Sequence, residues 1–294
     1  MLRVLRWCLG GVLAALAVTY FSLLLLARPV PQHAFFSSPN PLVVAHRGGQ
    51  GLGPENTLFA FRTAAALGAD VLEMDLHSTR DGALVVCHDA TLDRTTNGKG
   101  TIRELTLSEI QTLDAGYQWT ADQGASYPYR GKGIRVPALE EVFLSFPELR
   151  LNIEIKQMSP PLTAPLCRMI RDHDMEEGVL VASFDPATMQ DFRAACPEVA
   201  TAATAPEIRW FLRLHTVLLG DLYHGVAEAF EVPTSLRDLE IVTPRFIEES
   251  HQHNIRVLVW TANETEEMKR LLDLGVDGIL TDYPDRLLDV MGRR

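Results

Sequence analysis

The feature that most constrains the fold is a regular alternation of short apolar runs with helical patterns after residue 41. Helices between successive strands favour a parallel sheet, because parallel neighbours need a long crossover connection. About eight strands in about 250 residues are typical of a (β/α)8, or TIM, barrel, and a doubly wound open sheet is the alternative. The predicted strands are 42–45, 71–77, 151–155, 179–182, 199–203, a weak one near 226–229, 257–260 and 278–280.

Glycines end two of the helical patterns. The helix after the first strand begins near Thr57 and stops at Gly68, and a later helix runs from about Glu264 to Gly275. Glycine adopts the left-handed conformation that commonly ends a helix, so both ends are well marked.

Residues 91–137 interrupt the alternation, because this stretch is rich in Gly, Tyr and polar residues and is too long for an ordinary barrel loop. We expect a small insertion there, after the second strand. The predicted organisation is therefore one barrel domain over residues 41–294, preceded by residues 1–40 as a membrane anchor and linker.

The anchor is predicted from an uncharged run over residues 7–27, since a helix of this length spans the roughly 30 Å apolar core of a bilayer. A cleaved signal peptide is the alternative. Arg3 and Arg6 precede the run and Arg28 follows it, so the positive-inside rule places the N-terminus in the cytoplasm and the barrel on the non-cytoplasmic side. The proline-rich residues 29–41 are typical of an extended linker.

Charge and cysteine content exclude some classes of function. The formal net charge is −11 at pH 7, which argues against nucleic-acid binding because that requires a basic surface. None of the four cysteines has zinc-type spacing. Cys8 lies in the apolar N-terminal run, so Cys87, Cys167 and Cys196 can form at most one disulfide in the folded domain.

Two acidic residues of the second strand predict a metal site. The two-residue period of a strand puts Glu73 and Asp75 on one face and the aliphatic residues between them on the other. In a barrel the aliphatic face meets the outer helices, so both carboxylates point inward. Mutual repulsion and lost hydration are relieved by a hard divalent cation, Ca²⁺ or Mg²⁺. The alternative is an exposed edge strand or a surface ion-pair network.

Further polar residues follow other strands at the end where barrel enzymes hold their sites. His46 and Arg47 end the first strand, and a hairpin after the second strand delivers His88. Glu154 and Lys156 share the face opposite the isoleucines of the third strand. Arginine and lysine suit phosphate, and histidine transfers protons near neutral pH. A surface pair at a glycine-rich turn and a charged strand rim are the alternatives.

The order of these motifs resembles that of the glycerophosphodiester phosphodiesterase family. The resemblance spans about residues 42–287. The matching segments are HRGG with PENT at 46–57, EMD at 73–75, the DG turn and HD at 81–89, IEIK at 153–156, VWTANE at 259–264 and GVDGILTDYPDRL at 275–287.

The resemblance implies a TIM barrel with a small insertion, one divalent cation and two catalytic histidines, His46 and His88. It implies that Arg47 and Lys156 contact phosphate, and it leaves the role of Glu55 open. The metal ligands that it implies are Glu73, Asp75 and Glu154.

Three functions are compatible with this chain. The first is hydrolysis of glycerophosphodiesters to sn-glycerol 3-phosphate and an alcohol, and the second is a lysophospholipase D activity that releases lysophosphatidic acid from a lysolipid. The third is a catalytically silent, membrane-bound binding protein. Trp260 is expected to pack against substrate or to plug the core, and residues 210–222 form either a helix facing the barrel or an apolar lip. No protein partner is implied.

Overall fold

The computed structural model describes residues 27–294 apart from residues 39, 237 and 238, together with several positions between residues 7 and 24. Eight parallel strands of the described chain form a barrel. They are β1 Leu42–Ala45, β2 Val71–Ser78, β3 Arg150–Ile155, β4 Val179–Ala182, β5 Ala200–Thr201, β6 Ala229–Val232, β7 Arg256–Val259 and β8 Gly278–Thr281.

The strands pair in the order β5-β4-β3-β2-β1-β8-β7-β6. A parallel bridge between Ala202 and Ala229 joins the two remaining edges, and the Ala203 amide donates to the Ala229 carbonyl at 2.8 Å. The sheet therefore closes almost completely, which confirms the barrel and excludes the open sheet.

Helices pack outside the barrel between successive strands. The first begins after its cap Thr57 and ends at Gly68 in the left-handed conformation, as predicted, and Gly275 ends another in the same way. The helices are α1 Leu58–Leu67, α2 Leu107–Ile110, α3 Leu139–Ser145, α4 Thr163–Asp172, α5 Pro186–Ala195, α6 Ala205–Thr216, α7 Pro244–Gln252, α8 Thr265–Leu274 and α9 Pro284–Val290.

The two faces of β2 bury different side chains, as its alternation predicts. Leu72, Met74 and Leu76 pack in the apolar layer between strands and helices. Val71 belongs to a separate cluster inside the barrel. Since side chains two residues apart share a face, Glu73 and the next acidic residue along β2 also point inward.

The weak strand predicted near residues 226–229 is wrong in position. The strand runs from Ala229 to Val232, because Phe230 and Val232 supply the apolar contacts to the outer helices. Val226, the residue that suggested the earlier start, is 55% exposed. The shift places Glu231 on the inner face of β6, among the side chains that line the barrel cavity.

The insertion over residues 91–137 packs against the hairpin that follows β2. The strand Leu84–Val86 pairs antiparallel with the end of β2. Apolar residues from this strand and from the insertion form a small cluster of their own, including Val85, Leu92, Ile110 and Ile134. The segment is thus folded onto one side of the barrel mouth.

Residues 28–37, suggested as linker by their prolines, cross the N-terminal end of the barrel. The Val30 amide donates to the His253 carbonyl at 2.9 Å, and the His33 ring donates from Nε2 to the Glu198 carbonyl at 3.0 Å. Between these anchoring points Phe35 is completely buried and packs with the inner cluster of the barrel. Its ring closes the end of the barrel opposite the mouth.

Within the described positions, no helix has both the length and the apolar character needed to cross a bilayer. The predicted anchor, residues 7–27, lies in part outside the described residues and stays a prediction.

One disulfide joins two of the outer helices. Cys167 of α4 is bonded to Cys196, which follows α5. Cys87 is buried as a free thiol. This agrees with the limit of one internal disulfide set by the three cysteines of the barrel domain.

We predict that Phe35→Ala lowers the free energy of unfolding by about 3–5 kcal/mol, since it removes the buried aromatic ring that closes the N-terminal end of the barrel. Urea denaturation measures the change. Leu144→Ala, at a side chain that is 67% exposed, serves as the control and should change stability by less than about 0.5 kcal/mol. A loss below about 1 kcal/mol in Phe35→Ala would show that the ring does not close the barrel as described.

Candidate active site

Three carboxylates from adjacent strands meet at the C-terminal mouth of the barrel. Glu73 and Asp75 come from β2, and Glu154 comes from β3, where it is the register partner of Asp75. One oxygen from each residue lies within 4.8 Å of the other two. Glu73 and Asp75 are only 4% and 1% exposed. The sequence-predicted ligand set therefore converges on one point.

Burial and mutual repulsion dominate the electrostatics of this cluster. Loss of hydration and the neighbouring Asp75 raise the pKa of Glu73 well above its usual range. Burial also opposes ionisation of Asp75, but Lys156, the Asn56 amide and Arg47 outweigh it and hold the Asp75 pKa low. The Lys156 ammonium lies 3.1 Å from Asp75 Oδ1 and donates to Glu154 Oε2 at 2.7 Å.

The donor set fits a hard divalent cation. The Oε1 atom of Glu154 is buried and has no hydrogen-bond partner among the described residues, so it is an oxygen available to a ligand. Carboxylate oxygens are the preferred ligands of Ca²⁺ and Mg²⁺. Glu73, Asp75 and Glu154 are thus able to hold such an ion, and the geometry favours neither metal.

Arg47 is fixed beside this cluster by an unusual backbone conformation. Its φ of 51° lies in the left-handed region, which non-glycine residues seldom adopt. In that conformation the Arg47 amide donates to Glu73 Oε2 at 2.6 Å. The side chain donates from Nη1 to Glu55 at 3.1 Å. Its buried Nε lies 3.5 Å from Asp75 Oδ2 and forms no hydrogen bond with any described residue. Arg47 therefore retains a donor for a ligand in the cavity.

His46 is oriented by a carboxylate that the sequence analysis did not single out. Its Nδ1 lies 2.7 Å from Asp282 Oδ1, and Asp282 also accepts from Gln50 and Asn263, each at 2.8 Å. Burial disfavours the protonated ring, but Glu73 and Asp282 outweigh burial and raise the His46 pKa. The Asp282 contact leaves Nε2 of His46 for proton exchange.

His88 has a carboxylate partner of its own. Its Nδ1 lies 2.7 Å from Asp89 Oδ1. Arg94, from the insertion, donates to Asp89 at 2.7 Å and holds the Asp89 pKa at about 2. The same guanidinium donates two bonds to Glu55, at 2.7 and 2.8 Å. Glu55, whose role the sequence leaves open, thus bridges Arg94 to Arg47.

A cavity of about 460 Å³ lies at the mouth, and Glu73 and Glu154 of the carboxylate cluster line it. One wall is polar and includes both histidines, Arg47 and Lys156. The opposite wall is apolar, with Phe184 after β4, Trp260 after β7, and Ile208 and Leu212 from α6 as members. A ligand in this cavity meets charged groups on one side and hydrocarbon on the other.

Trp260 and the segment 210–222 both contact the core of the barrel, which was one of the two alternatives for each. Trp260 packs against the inner cluster of the barrel and also lines the cavity, where its ring meets Phe184 edge to face at 6.3 Å. In the segment 210–222, Phe211 is fully buried against the barrel while Trp210 is 51% exposed. The helix therefore faces the barrel and also contributes apolar surface near the mouth.

Below the carboxylate cluster lies a second polar pair that the sequence analysis missed. Asn152 of β3 donates from Nδ2 to Glu231 Oε1 of β6 at 2.6 Å. Burial raises the pKa of Glu231 to about 7. The alternation of β3 could have identified Asn152, because it places this residue on the inward face together with Glu154. For Glu231 no signal was available, because its strand was placed three residues too early.

Comparison with known proteins gives one consistent family. A model of the "Glycerophosphoryl diester phosphodiesterase family" matches residues 46–286. A glycerophosphodiester phosphodiesterase of Caldanaerobacter subterraneus is 33% identical over 262 residues, covering 85% of this chain and 97% of that protein. A lysophospholipase D of Mus musculus is 29% identical, over 97% of this chain and 96% of its own length.

Solved structures agree with the barrel. An Oleispira antarctica phosphodiesterase in complex with the product sn-glycerol-3-phosphate has a TM-score of 0.69 and 26% identity, covering 89% of this chain and all of that one. A glycerophosphodiester phosphodiesterase of Agrobacterium tumefaciens has a TM-score of 0.69 and 29% identity, covering 85% of this chain and 98% of that one.

We predict that Ca²⁺ or Mg²⁺ raises the Tm of EDTA-treated protein, because an ion that binds only the native state stabilises it by about 2.7 kcal/mol at one hundred times its Kd. Differential scanning calorimetry measures the shift. Glu154→Gln should remove most of it, and Glu148→Gln, at an exposed side chain, should keep it. An equal shift in both variants would contradict a metal site at the carboxylate cluster.

Proposed function

The chain belongs to the glycerophosphoryl diester phosphodiesterase family, and on that premise we propose that it hydrolyses glycerophosphodiesters to sn-glycerol 3-phosphate and an alcohol. The observation that carries this proposal is the arrangement around one cavity of three converging carboxylates and two imidazoles, each imidazole held by its own carboxylate. These groups supply a cation site and two sites of proton transfer, which together meet the needs of phosphodiester hydrolysis.

In this proposal Arg47 and Lys156 bind the phosphate. The buried Nε of Arg47, which forms no hydrogen bond with a described residue, donates to a non-bridging oxygen. The Lys156 ammonium, which contacts Asp75 and Glu154, supplies a second positive charge. A divalent cation held by Glu73, Asp75 and Glu154 supplies further neutralisation of the phosphate oxygens when bound. Preorganised charge of this kind stabilises the transition state without further reorganisation.

His46 and His88 act as the acid–base pair. The Asp282 carboxylate fixes the His46 ring and the Asp89 carboxylate fixes the His88 ring, so each histidine offers Nε2 to the substrate. One imidazole accepts the proton of the attacking oxygen, and the other protonates the oxygen of the departing alcohol.

A second candidate activity is lysophospholipase D, in which the same bond is cleaved in an acylated substrate. The observation that favours it is the apolar wall of the cavity, to which Ile208, Leu212 and Trp260 contribute, because an acyl stem gains free energy by burial against such a surface. In this activity the catalytic residues keep the roles described above.

The proposal includes membrane attachment through residues 7–27, with the barrel on the non-cytoplasmic side. The uncharged run and the preceding arginines support the anchor. The disulfide between Cys167 and Cys196 supports an oxidising compartment for the barrel. Recovery of the full-length protein in carbonate-washed membranes tests the attachment.

Turnover assays distinguish the candidate functions. We expect purified protein to release sn-glycerol 3-phosphate from glycerophosphocholine, to lose this activity in EDTA, and to regain it when Ca²⁺ or Mg²⁺ is returned. Release of lysophosphatidic acid from lysophosphatidylcholine at a higher kcat/KM would favour the second candidate. No turnover of either substrate with either metal would support a catalytically silent binding protein.

We predict that His46→Ala and His88→Ala each lower kcat by about 10²–10⁴, the usual contribution of a positioned acid or base. His224→Ala is the matched control, since that side chain is exposed and is remote in sequence from the catalytic motifs. Steady-state hydrolysis of glycerophosphocholine measures all three. Near-normal turnover in either active-site variant would refute the corresponding assignment.

A further inference from the structure

The Asn152–Glu231 pair spans the interior of the barrel beneath the carboxylate cluster. The two residues come from β3 and β6, which are three strands apart around the sheet, and both line the cavity. Asn152 precedes Glu154 by two residues, so it lies about 6–7 Å deeper along the strand. The pair therefore forms the polar floor of the cavity, below the proposed phosphate site.

This floor has hydrogen-bonding capacity that the protein does not use. Asn152 is 1% exposed, and its Oδ1 is buried with no partner among the described residues. Of the two Glu231 oxygens, only Oε1 accepts a hydrogen bond from a described residue. A buried acceptor without a donor destabilises the folded protein, because it has lost its hydrogen bonds to water. The floor thus lacks donors, which a bound molecule can supply.

The space above the floor is bounded by unusually small side chains. Ala182 of β4, with Ala202 and Ala203 after β5, lines the cavity on the side between Asn152 and Glu231. Larger residues at these positions would fill the barrel interior in the way that Leu180, one layer below, does. The structure therefore leaves room for a short, compact group between the phosphate site and the floor.

We propose that Asn152 and Glu231 form a hydroxyl-binding subsite for the unacylated glycerol moiety of the substrate. A hydroxyl group donates to the Asn152 Oδ1 or to the free Glu231 oxygen, and the three-carbon glycerol chain spans the depth between phosphate and floor. The subsite selects against an acylated glycerol hydroxyl, which has no hydrogen to donate. This inference rests on the proposed phosphodiesterase function.

The test compares glycerophosphocholine with its 1-deoxy analogue (sn numbering), the phosphocholine ester of propane-1,2-diol at its primary hydroxyl, which keeps the 2-hydroxyl and any part that group plays in attack. We expect the native protein to prefer glycerophosphocholine by about tenfold to a hundredfold in kcat/KM, because the analogue leaves buried acceptors unpaired. Glu231→Leu and Asn152→Ala should each reduce this preference to about threefold or less, mainly through slower turnover of the hydroxylated substrate.

The ratio of the two kcat/KM values is measured on one preparation, so a partly unfolded variant does not distort it, and Asn152→Ala alone decides the matter if Glu231→Leu does not fold. Glu148→Gln is the control and should keep the native ratio. An unchanged ratio in the floor variants, an equal loss on both substrates, or no preference in the native protein would overturn the subsite.

Absence of turnover on both substrates would contradict the proposed function and not the subsite. In that case calorimetry tests the subsite. It measures the binding of sn-glycerol 3-phosphate and of propane-1,2-diol 1-phosphate to the native protein and to Asn152→Ala. Tighter binding of the glycerol compound to the native protein alone would support the subsite, and equal binding of both compounds would overturn it.

Discussion

The rest of this site depends on one constraint, which is the burial of three carboxyl groups close to one another. Glu73, Asp75 and Glu154 place three oxygens within 4.8 Å of one another, an arrangement that repulsion and lost hydration both oppose. The surrounding structure offsets part of this cost, since Lys156 contacts two of the carboxylates and the amide of Arg47 donates to the third. The left-handed backbone at Arg47 and this bond therefore occur at the same residue.

The insertion takes part in the site through Arg94. Its guanidinium links Asp89, and hence His88, to Glu55 and from there to Arg47. One imidazole and the proposed phosphate clamp are thus held by a single chain of charge-assisted hydrogen bonds, which are stronger than neutral ones. The other imidazole, His46, is fixed separately by Asp282, which follows β8. The two histidines of the proposed acid–base pair are thus held by different carboxylates.

Local periodicity predicted most of the barrel and the inward carboxylates, because the two-residue alternation of β2 and β3 depends only on neighbouring residues. Local periodicity does not predict contacts between residues far apart in sequence, and Asp282 lies 236 residues from His46. A strand of only four residues is located by the strands it pairs with, so β6 was placed too early and Glu231 was overlooked. The burial of Phe35 was likewise invisible, as its proline-rich surroundings are typical of an unpacked linker.

Because residues 28–37 pack across the N-terminal end of the barrel, the two ends of the barrel differ. The chain enters at the end sealed by Phe35, while the cavity with the proposed catalytic groups opens at the far end. A bilayer tether at residues 7–27 would thus turn the opening toward the surrounding aqueous phase, a full barrel height from the lipid headgroups. Exposed apolar residues near that opening, such as Trp210 and Phe184, could not then insert into the tethering bilayer. Under that geometry diffusing water-soluble diesters would reach the proposed catalytic groups directly, whereas a lysolipid would first have to leave the bilayer.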